Sequence, residues 1–590
     1  MTMPFWVRRY GGFALVLVVL CTVLVVAPTK SPTQVQTFGG TGEQSAAPGQ
    51  ITDTTDDSVV AADPAEGVDP GAQAATSAPG GARSGPTTGT AARPGSAASA
   101  GSTAARPGAS NAPSAGSPGQ TPGVASASTG DCSRRAILGT DVPCKPEFAG
   151  SNGGPGSKGV TDKEITLVWY RDKQNEQVQA IIDSTGAAAT AEEQEQGLQR
   201  MTSWFNKNFQ LYGRKVKLVY VKGQASNKDV PAMRADAQAI DQEQKAFAVL
   251  SGTRSDFIDE LARRQIISFG NAQFPLSYAT ARAPFVYGIL PDADTTNAHI
   301  TEYIAKRLGP SSMAQHGGDV SAPQVNGVTR KYGIVFPSIA EYGQAADDLE
   351  RRLAAAGIKT TAKVGYASDI NQAAATAQNV VTQLTAAGVT TVLCVCDPIA
   401  PVFFTSASTK QGYYPEWFQT GYLLQDVAAL ARLYDQTQWA HNFGLSTLPA
   451  IRPQEQTPAW KIQQQEVPNQ TPPSITGYAN LLAVFSAIEQ AGPRLDPATF
   501  RDGAFRFQLV SRSKFDTTFG YGPKDFGGID DAQEVWWDAE GTDEADGKTG
   551  TYRSVNDGYR YNLGGWPASK PRAFEPGCLG AGSCGGARYG

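Results

Sequence analysis

The polar residues that could do chemistry in this sequence follow short apolar runs. Hydroxyl, amide, guanidinium and carboxylate groups stand directly after several of these runs. These residues are Tyr170, Arg171, Ser251, Gly252, Thr253, Ser255, Gly270, Asn271, Ser338, Tyr342 and Asp397. Such groups hold a small polar molecule by hydrogen bonds and ion pairs. Their types therefore predict a ligand-binding site.

Sequence motifs for catalysis or cofactor binding are absent or stand in the wrong place. The segment 154–159 has the glycine spacing of a dinucleotide-binding loop, but it precedes the first apolar run of the folded region, whereas such a loop follows a strand. The chain has no P-loop, no G-x-S-x-G nucleophile motif and only three histidines, which argues against a histidine-based metal site. We therefore predict no catalytic residue, metal or cofactor. An extracellular hydrolase is the weaker alternative.

Composition divides the 590-residue chain into two unequal parts. Between residues 28 and 130, 78 of 103 positions are Ala, Gly, Pro, Ser or Thr, and Phe38 is the only aromatic residue. Such a segment buries too little apolar surface to offset the entropy of ordering it, so we predict a disordered stalk. The formal net charge of −5 and the absence of a Lys/Arg block argue against nucleic acid as a partner.

The first 27 residues have the features of a membrane signal. An apolar run from Gly11 to Ala27 follows Arg8 and Arg9, and by the positive-inside rule the N-terminus stays in the cytoplasm. The run is at the lower limit for a membrane span and slightly long for the core of a cleaved signal peptide. Two interpretations stay open: a single-pass anchor that contacts the membrane through residues 11–27, or a cleaved signal and secretion. Both place the folded part outside the cytoplasm.

Six cysteines follow the apolar run, and they stand in three local pairs. The pairs are Cys132 with Cys144, Cys394 with Cys396, and Cys578 with Cys584. Their even number suits an oxidising compartment, so the first and last pairs are disulfide candidates, with exposed thiols as the alternative. The middle pair lies two residues apart on a predicted strand, close to the limit of disulfide reach, so a buried thiol pair and a bond are equally compatible with it.

Strand-like and helix-like segments alternate from residue 160 onward. Apolar runs typical of buried strands cover 165–169, 216–220, 246–250, 266–269, 332–336, 361–364 and 389–396. Helical patterns between them indicate βαβ units and a parallel sheet. Because a second series starts after residue 286, we predict an α/β fold of two doubly wound parallel-sheet lobes joined by a hinge, within a binding domain at 131–590. Lobe one takes about 159–295 and 446–520, lobe two takes about 296–445 with later segments, and the C-terminal part is expected to form irregular loops with short strands.

Several stretches in this order resemble one known family. They are Gly159–Ile165 before the first strand, Tyr212–Leu218, Phe247–Ser255, Glu341–Gly343 and the late helix that begins near Gly477. The region is similar to the type I periplasmic binding proteins, specifically the branched-chain amino-acid (Leu/Ile/Val) type of ABC-transporter substrate-binding proteins. It departs from their pattern after the first strand, where Trp169–Gln174 and an insertion to about 187 replace the usual Pro-Leu-Ser-Gly.

This resemblance implies a function and assigns roles to two of the candidates. In the family, the loop that matches Ser251–Ser255 supplies backbone N–H and hydroxyl groups to a ligand carboxylate, and the position of Tyr342 contacts the ligand from the other lobe. The implied protein is not an enzyme and needs no cofactor. It captures a small polar ligand, such as an amino acid or a related compound, and delivers it to an ABC permease and its ATPase. A ligand sensor that signals to a membrane partner is the alternative.

Several candidates also have purely structural interpretations. Ser255 could cap a helix that starts at Phe257, and Tyr342 could be a core aromatic residue. Arg171 could form a solvated pair with Asp172, Asp397 could be a helix N-cap, and Asn271 could serve a turn.

Overall fold

The computed structural model describes residues 132–568 except for 140, 174, 186–189, 227–228, 253, 271–272, 319–324 and 469–474. The apolar run at 11–27, the segment 28–130, and the pair Cys578 and Cys584 lie outside the described residues. Within the described part, none of the helices is both long and apolar enough to cross a membrane.

The first sheet has five parallel strands in the order β2-β1-β3-β4-β5. Its strands are β1 (Glu164–Arg171), β2 (Lys215–Lys222), β3 (Ala248–Gly252), β4 (Ile267–Gly270) and β5 (Val286–Gly288). The helices along this part of the chain are α1 (Glu176–Ser184), α2 (Ala191–Asn208), α3 (Val230–Ala239), α4 (Ser255–Arg263) and α5 (Leu276–Thr280). The central strands β3 and β4 are buried almost throughout because helices cover both faces of a parallel sheet.

Local signals in the sequence account for α2. Thr190 and Glu193 form a capping box at its start, in which each side chain bonds the other's backbone N–H. Leu198, Met201 and Phe205 recur at intervals of three and four, and all three are buried in the core of the first lobe. The helix therefore combines a defined beginning with one apolar face.

The second sheet has eight strands and is mixed rather than fully parallel. Its parallel strands are β6 (Tyr332–Pro337), β7 (Thr360–Tyr366), β8 (Thr391–Cys394), β9 (Glu416–Gln419) and β10 (Phe443–Ser446). The helices along this part are α6 (Ala293–Tyr303), α7 (Ala340–Ala355), α8 (Ala373–Ala386), α9 (Ala400–Lys410), α10 (Ala428–Ala431) and α11 (Gln436–Trp439).

The remaining elements return to both sheets. They are α12 (Pro458–Glu466), α13 (Ile475–Ala491), α14 (Pro497–Arg506), a short pair β11 (Gln508–Leu509) and β12 (Phe519–Gly520), and then β13 (Asp531–Thr542), β14 (Thr549–Ser554) and β15 (Arg560–Asn562). Helices α12 and α13 pack on α2 of the first lobe, whereas β13 pairs antiparallel with β10 of the second. The chain thus passes between the two sheets three times, at 289–292, 447–457 and 521–530.

The C-terminal part differs from the expectation of irregular loops. Strand β13 runs for twelve residues and pairs with β10, β14 and β15, all antiparallel. Its first eight residues are buried, including Trp536 and Trp537, because the strand extends the second sheet instead of lying on the surface. The stretch 532–537, which contains no Gly, Pro, Asn, Asp or Ser, was the sequence signal for it.

A short segment before β1 is held onto the first lobe. The 3-10 helix Cys132–Leu138 carries a disulfide from Cys132 to Cys144, whose Cα atoms are 6.0 Å apart. Arg135 is buried and donates hydrogen bonds to both carboxylate oxygens of Glu489 on α13 and to the carbonyl oxygen of Asn208. The disulfide closes a loop within this segment, and the ion pair binds the segment to the core.

Candidate ligand-binding cleft

The carboxyl ends of the parallel strands of both sheets meet, and the loops that follow these strands are in contact. The ring of Phe274, which follows β4, lies 5.8 Å from the ring of Tyr342 near the start of α7, edge to face. The Gln273 side chain donates to the carbonyl oxygen of Gly421 at 3.4 Å, and its own amide oxygen accepts from the N–H of Leu423. Ligands bind at the carboxyl ends of strands in open α/β sheets. This contact region is therefore the candidate cleft.

Tyr342 is one of the residues through which the second lobe contacts the first. It is only 7% exposed and belongs to a core cluster that also contains Phe274 and Tyr278 of the first lobe. Burial raises the pKa of its hydroxyl, the positive charge of Arg254 opposes that rise, and the charge of Asp397 adds to it. Tyr342 is thus both a packed aromatic residue and a neighbour of two charged side chains from opposite lobes.

We expect Tyr342→Phe to lower the free energy of unfolding by no more than about 1.5 kcal/mol, because the ring stays and one modest hydrogen bond is lost. Tyr342→Ala should lower it by about 3–5 kcal/mol, because it empties the space between the lobes. Urea denaturation of both variants measures these values. Equal losses in the two variants would contradict the packing role. The phenylalanine variant is therefore the one suited to ligand-binding measurements.

The loop after β3 carries backbone strain. Ser251 has φ of +68°, in the left-handed region that residues with a Cβ rarely adopt, and its hydroxyl donates to the carbonyl oxygen of Tyr170. This conformation costs on the order of 1–3 kcal/mol. The register between β3 and β4 shifts at the same place, and a Cβ on Gly270 would lie 2.0 Å from the carbonyl oxygen of Gly252. Strain of this kind is found at binding sites, where it presents a loop in one shape.

A small pocket lies against this loop. Its lining residues are Tyr170, Asp172, Ala225, Met233, Ser251, Arg254 and Phe257. Arg254 directly precedes α4, and its Nε is buried and donates no hydrogen bond. The pocket therefore combines apolar walls with one cationic and one anionic side chain.

A second small pocket lies beside the first, towards the crossing segments. The ends of β3, β4 and β5 contribute Gly252, Gly270 and Gly288, and its walls include Phe274, Tyr278 and Phe526. The absence of side chains on three neighbouring strand ends leaves this space open.

Tyr170 stabilises the loop that follows β3. Its hydroxyl donates to Asp236 Oδ2 at 2.8 Å, and its ring stacks on Phe257 with 4.1 Å between centroids. Burial and the bond to Asp236 raise the pKa of the Tyr170 hydroxyl well above its ordinary value. Arg171, one residue later, is half-exposed and is not among the residues that line either pocket.

On the second lobe, Asp397 accepts hydrogen bonds from its own surroundings. Its Oδ1 accepts from the N–H groups of Ile399 and Ala400, both at 3.0 Å, and its Oδ2 accepts from the Tyr366 hydroxyl at 2.6 Å. These bonds are those of a residue that caps the turn into α9. The structural interpretation of Asp397 is therefore supported, and its place beside Tyr342 keeps it at the cleft.

The turn that carries Asp397 is held by a disulfide and an amide. Cys394 and Cys396 are both buried and bonded to each other, with Cα atoms 5.0 Å apart. Gln425 Nε2 donates to the carbonyl oxygens of both cysteines, at 3.0 and 2.6 Å. These constraints fix the backbone that leads to Asp397.

The other predicted site residues are placed as follows. Ser255 is the first residue of α4 rather than a cap before Phe257, because the helix begins two residues earlier than expected. Ser338 is exposed, and its N–H donates to the carbonyl oxygen of Tyr366 at 2.7 Å. Thr253 and Asn271 lie outside the described residues, so their roles stay predictions.

Four residues of the cleft were not among the individual predictions. They are Arg254, Gln273, Phe274 and Tyr366. Arg254 stands inside the predicted loop 251–255, and Tyr366 lies two residues after the predicted strand 361–364, so position was a usable signal for both. For Gln273 and Phe274 the sequence held no signal, because their partners lie in the other lobe. Among the described residues, no group of three or more His, Cys, Asp or Glu is arranged to hold a metal ion.

Two α/β lobes with a cleft between the carboxyl ends of their sheets define a two-lobe binding protein. A family model described as periplasmic binding protein matches residues 177–530, more than half of the chain. The chain belongs to this family. A search of curated proteins finds no match.

Solved structures with a similar fold include three transporter proteins of low sequence identity. A substrate-binding protein of an ABC transporter from Aeropyrum pernix is 12% identical, with 68% of this chain and 96% of that chain covered and a TM-score of 0.49. A solute-binding protein from Rhodopseudomonas palustris in complex with 3,4-dihydroxybenzoic acid is 12% identical (68% and 98% covered, TM-score 0.48). A branched-chain amino-acid ABC transporter ligand-binding protein from Burkholderia xenovorans is 11% identical (70% and 97%, TM-score 0.46).

Proposed function

We propose that this chain is an extracytoplasmic solute-binding protein that captures a small polar ligand, such as an amino acid or a related compound, between its two lobes. It delivers the ligand to an ABC permease and its ATPase and does no chemistry on it. The observation that carries the proposal is the cleft, where loops after strands of both sheets bring Ser251 and Arg254 together with Tyr342. Family membership agrees with solute binding and with a place outside the cytoplasm.

The geometry supports a mechanism of closure. A ligand that contacts the Ser251–Arg254 loop of one lobe and Tyr342 of the other is held most tightly when the lobes are together, so it shifts the population towards the closed form. The three connections at 289–292, 447–457 and 521–530 are the segments that would bend. A permease can then distinguish the loaded protein from the empty one by the arrangement of its lobes.

The N-terminal part of the chain fits delivery at a membrane. The apolar run 11–27 would anchor the protein, or would be cleaved after export, and the segment 28–130 would act as a stalk. A flexible coil of this length has a root-mean-square span of roughly 50–60 Å. Such a stalk lets a tethered binding protein collect ligand at a distance and still reach a permease.

A ligand screen tests the proposed function. The full chain is heated with amino acids, amides, short peptides, sugars and aromatic acids, and its unfolding temperature is recorded. A one-site ligand at 100 times its Kd should add about 2.7 kcal/mol to the free energy of unfolding. Chromatography of each compound after incubation is the control for chemistry. Turnover of a compound, or no stabilisation by any, would contradict the proposal.

A further inference from the structure

Helix α1 lies in the insertion by which this sequence departs from the pattern of its family after the first strand. It follows β1, and Asp172, which stands between the two elements, lines the pocket at the loop after β3. Thr185 caps the end of the helix. The insertion therefore begins at the candidate cleft, and the closure of two lobes does not by itself require it.

Packing against a core does not hold α1 in place. None of its nine residues is buried. Val178, Ile181 and Ile182 lie on one face of the helix and are half-buried, but they belong to none of the hydrophobic cores that the described residues form. Isolated helices shorter than about 12–15 residues are marginal in water. The order of α1 therefore depends on the contacts at its ends.

Both ends of α1 have a defined contact. At the beginning, Asn175 Oδ1 accepts hydrogen bonds from the N–H groups of Gln177 and Val178, at 2.9 and 3.4 Å. At the end, Lys548 Nζ donates to the carbonyl oxygen of Thr185 at 2.6 Å. The last carbonyls of a helix lack partners within it, and a cation is favourable there. The first contact is local, whereas the second comes from the turn between β13 and β14 of the second sheet.

The turn that carries Lys548 has a fixed shape. The carboxylates of Asp543 and Asp546 both pair with Arg432, at 3.2 and 2.7 Å. Asp546 Oδ1 also accepts from the backbone N–H of Lys548 at 3.0 Å. Because Arg432 holds both carboxylates, the ammonium group of Lys548 is directed to the end of α1.

The bond between Lys548 and Thr185 joins the two lobes at a distance from the crossing segments. Strands β3 and β4 separate β1 from β5, where the first crossing begins, and three strand spacings correspond to about 14 Å. Lys548 stands beyond the far end of the twelve-residue β13, whose first residue follows the third crossing. The lobes are in contact in this structure, through Phe274 and Tyr342. Bending at the crossings would therefore draw Lys548 away from Thr185.

We propose that residues 175–185 form a strap that joins the lobes in the closed, loaded protein, with Lys548 as its attachment on the second lobe. This inference rests on the proposed function, because it concerns closure of the same cleft. When the lobes separate, the end of α1 loses its bond to Lys548 and the helix loses order. The strap therefore stabilises the closed form and slows the escape of the solute.

Dissociation rates of the full chain test the strap. Leucine and benzoate are the first probes, followed by every compound that stabilises the protein in the screen, and stopped-flow tryptophan fluorescence gives both rates. We expect Lys548→Met to raise the dissociation rate by about 2- to 10-fold and to leave the association rate unchanged, because one exposed hydrogen bond of the closed form is lost. Lys359→Met, at an exposed lysine between α7 and β7, is the matched control and should change neither rate. Unfolding temperatures equal to that of the wild type show that both variants fold.

A second substitution weakens the strap from its other end. Asn175→Ala removes the cap of α1 and should also raise the dissociation rate by about 2- to 10-fold. Added to Lys548→Met, it should have a much smaller effect, because the strap is already released. Hydrogen exchange gives an independent measurement: bound probe should slow exchange of the α1 amides by about 5-fold or more in the wild type but not in Lys548→Met.

An unchanged dissociation rate in Lys548→Met, or additive effects of the two substitutions, would overturn the strap and leave the proposed function standing. Equal exchange of the α1 amides in empty and loaded wild-type protein would do the same. Failure of the wild-type protein to bind any compound of the screen would overturn the proposed function itself.

Discussion

Replacing Arg330 by methionine is expected to lower the free energy of unfolding of the second lobe by about 3–5 kcal/mol. Arg330 Nε and Nη2 donate to the two carboxylate oxygens of Glu416 at 2.8 and 2.9 Å, and the two side chains are 3% and 0% exposed. Glu416 also accepts from the hydroxyl of Thr391 at 2.6 Å. Burial alone would raise the pKa of Glu416, yet the charge and hydrogen bonds of Arg330 hold it below its ordinary value. Without Arg330 a fully buried carboxylate is left without its cation.

An exposed ion pair of the same lobe is the control. Lys363 lies 2.6 Å from both Asp347 and Glu350, but solvent reaches all three side chains. We expect Lys363→Met to change the free energy of unfolding by less than about 1 kcal/mol. Urea denaturation followed by tryptophan fluorescence measures both variants. An effect of Arg330→Met no larger than that of Lys363→Met would show that Glu416 is stable without its partner.

Three aspartates at the crossing segments, Asp292 buried and Asp525 and Asp530 half-buried, are expected to contribute less to the stability of the protein as pH rises above about 4, because they ionise. Burial raises the pKa of Asp292 to about 6. Asp525 and Asp530 are hydrogen-bonded to each other, and burial together with their mutual repulsion raises the pKa of this pair as well. The folded state therefore keeps protons that the unfolded chain releases above its ordinary aspartate pKa. Stability from these groups is complete below that pKa and is lost as pH rises through the folded-state values.

The charges around these aspartates do not cancel their repulsion. Asp294 raises the pKa of Asp292, and Arg352 lowers it. Asp531 raises the pKa of Asp530, but Asp531 is itself paired with Arg560 at 2.7 Å. Asp530→Asn keeps a hydrogen bond to Asp525 without a second negative charge. We expect it to raise the free energy of unfolding by about 2 kcal/mol at pH 8 and to leave it nearly unchanged at pH 4.

Thermal and urea unfolding from pH 4 to pH 8 measure this difference between variant and wild type. Acidic groups such as Glu416, whose pKa is lowered, change stability in the opposite direction, so the difference and not the wild-type profile isolates Asp530. Asp183→Asn, at an exposed position on α1, should leave the pH profile unaltered. If the pH profiles of Asp530→Asn and wild type run parallel, the raised pKa of the Asp525–Asp530 pair is contradicted.

Much of the fold could be predicted because short apolar runs and helical periodicity are local signals. The run 165–169 became the buried part of β1, and the pattern from Leu198 to Phe209 became α2. The ends of strands could be predicted in the same way. Ser251 and Tyr342 both follow such ends, and both lie at the cleft. The hairpin of β13 and β14 was not foreseen, because its burial depends on pairing with β10, about ninety residues earlier.

The candidate site was predictable in position but not in detail. The loop at 251–255 was expected from its place after β3. Arg254 became notable only in the structure, where it follows the strained backbone of Ser251, precedes α4 and lines a pocket. Asp397 looked equally suited to a ligand until its bonds to Tyr366 and its own turn were seen. Such hydrogen-bond partners lie in distant segments of the chain, so the spacing of residues in the sequence does not reveal them.

By itself the sequence determined the alternation of strands and helices, the two series that build two sheets, and the strand ends where binding groups collect, since each of these depends on neighbours within a few residues. Only the tertiary structure decided which side chains are satisfied by the protein and which remain available to a ligand. Both carboxylate oxygens of Asp397 accept hydrogen bonds, whereas Nε of Arg254 is buried without an acceptor among the described residues, because hydrogen bonding and desolvation act through space between segments that lie far apart in the chain.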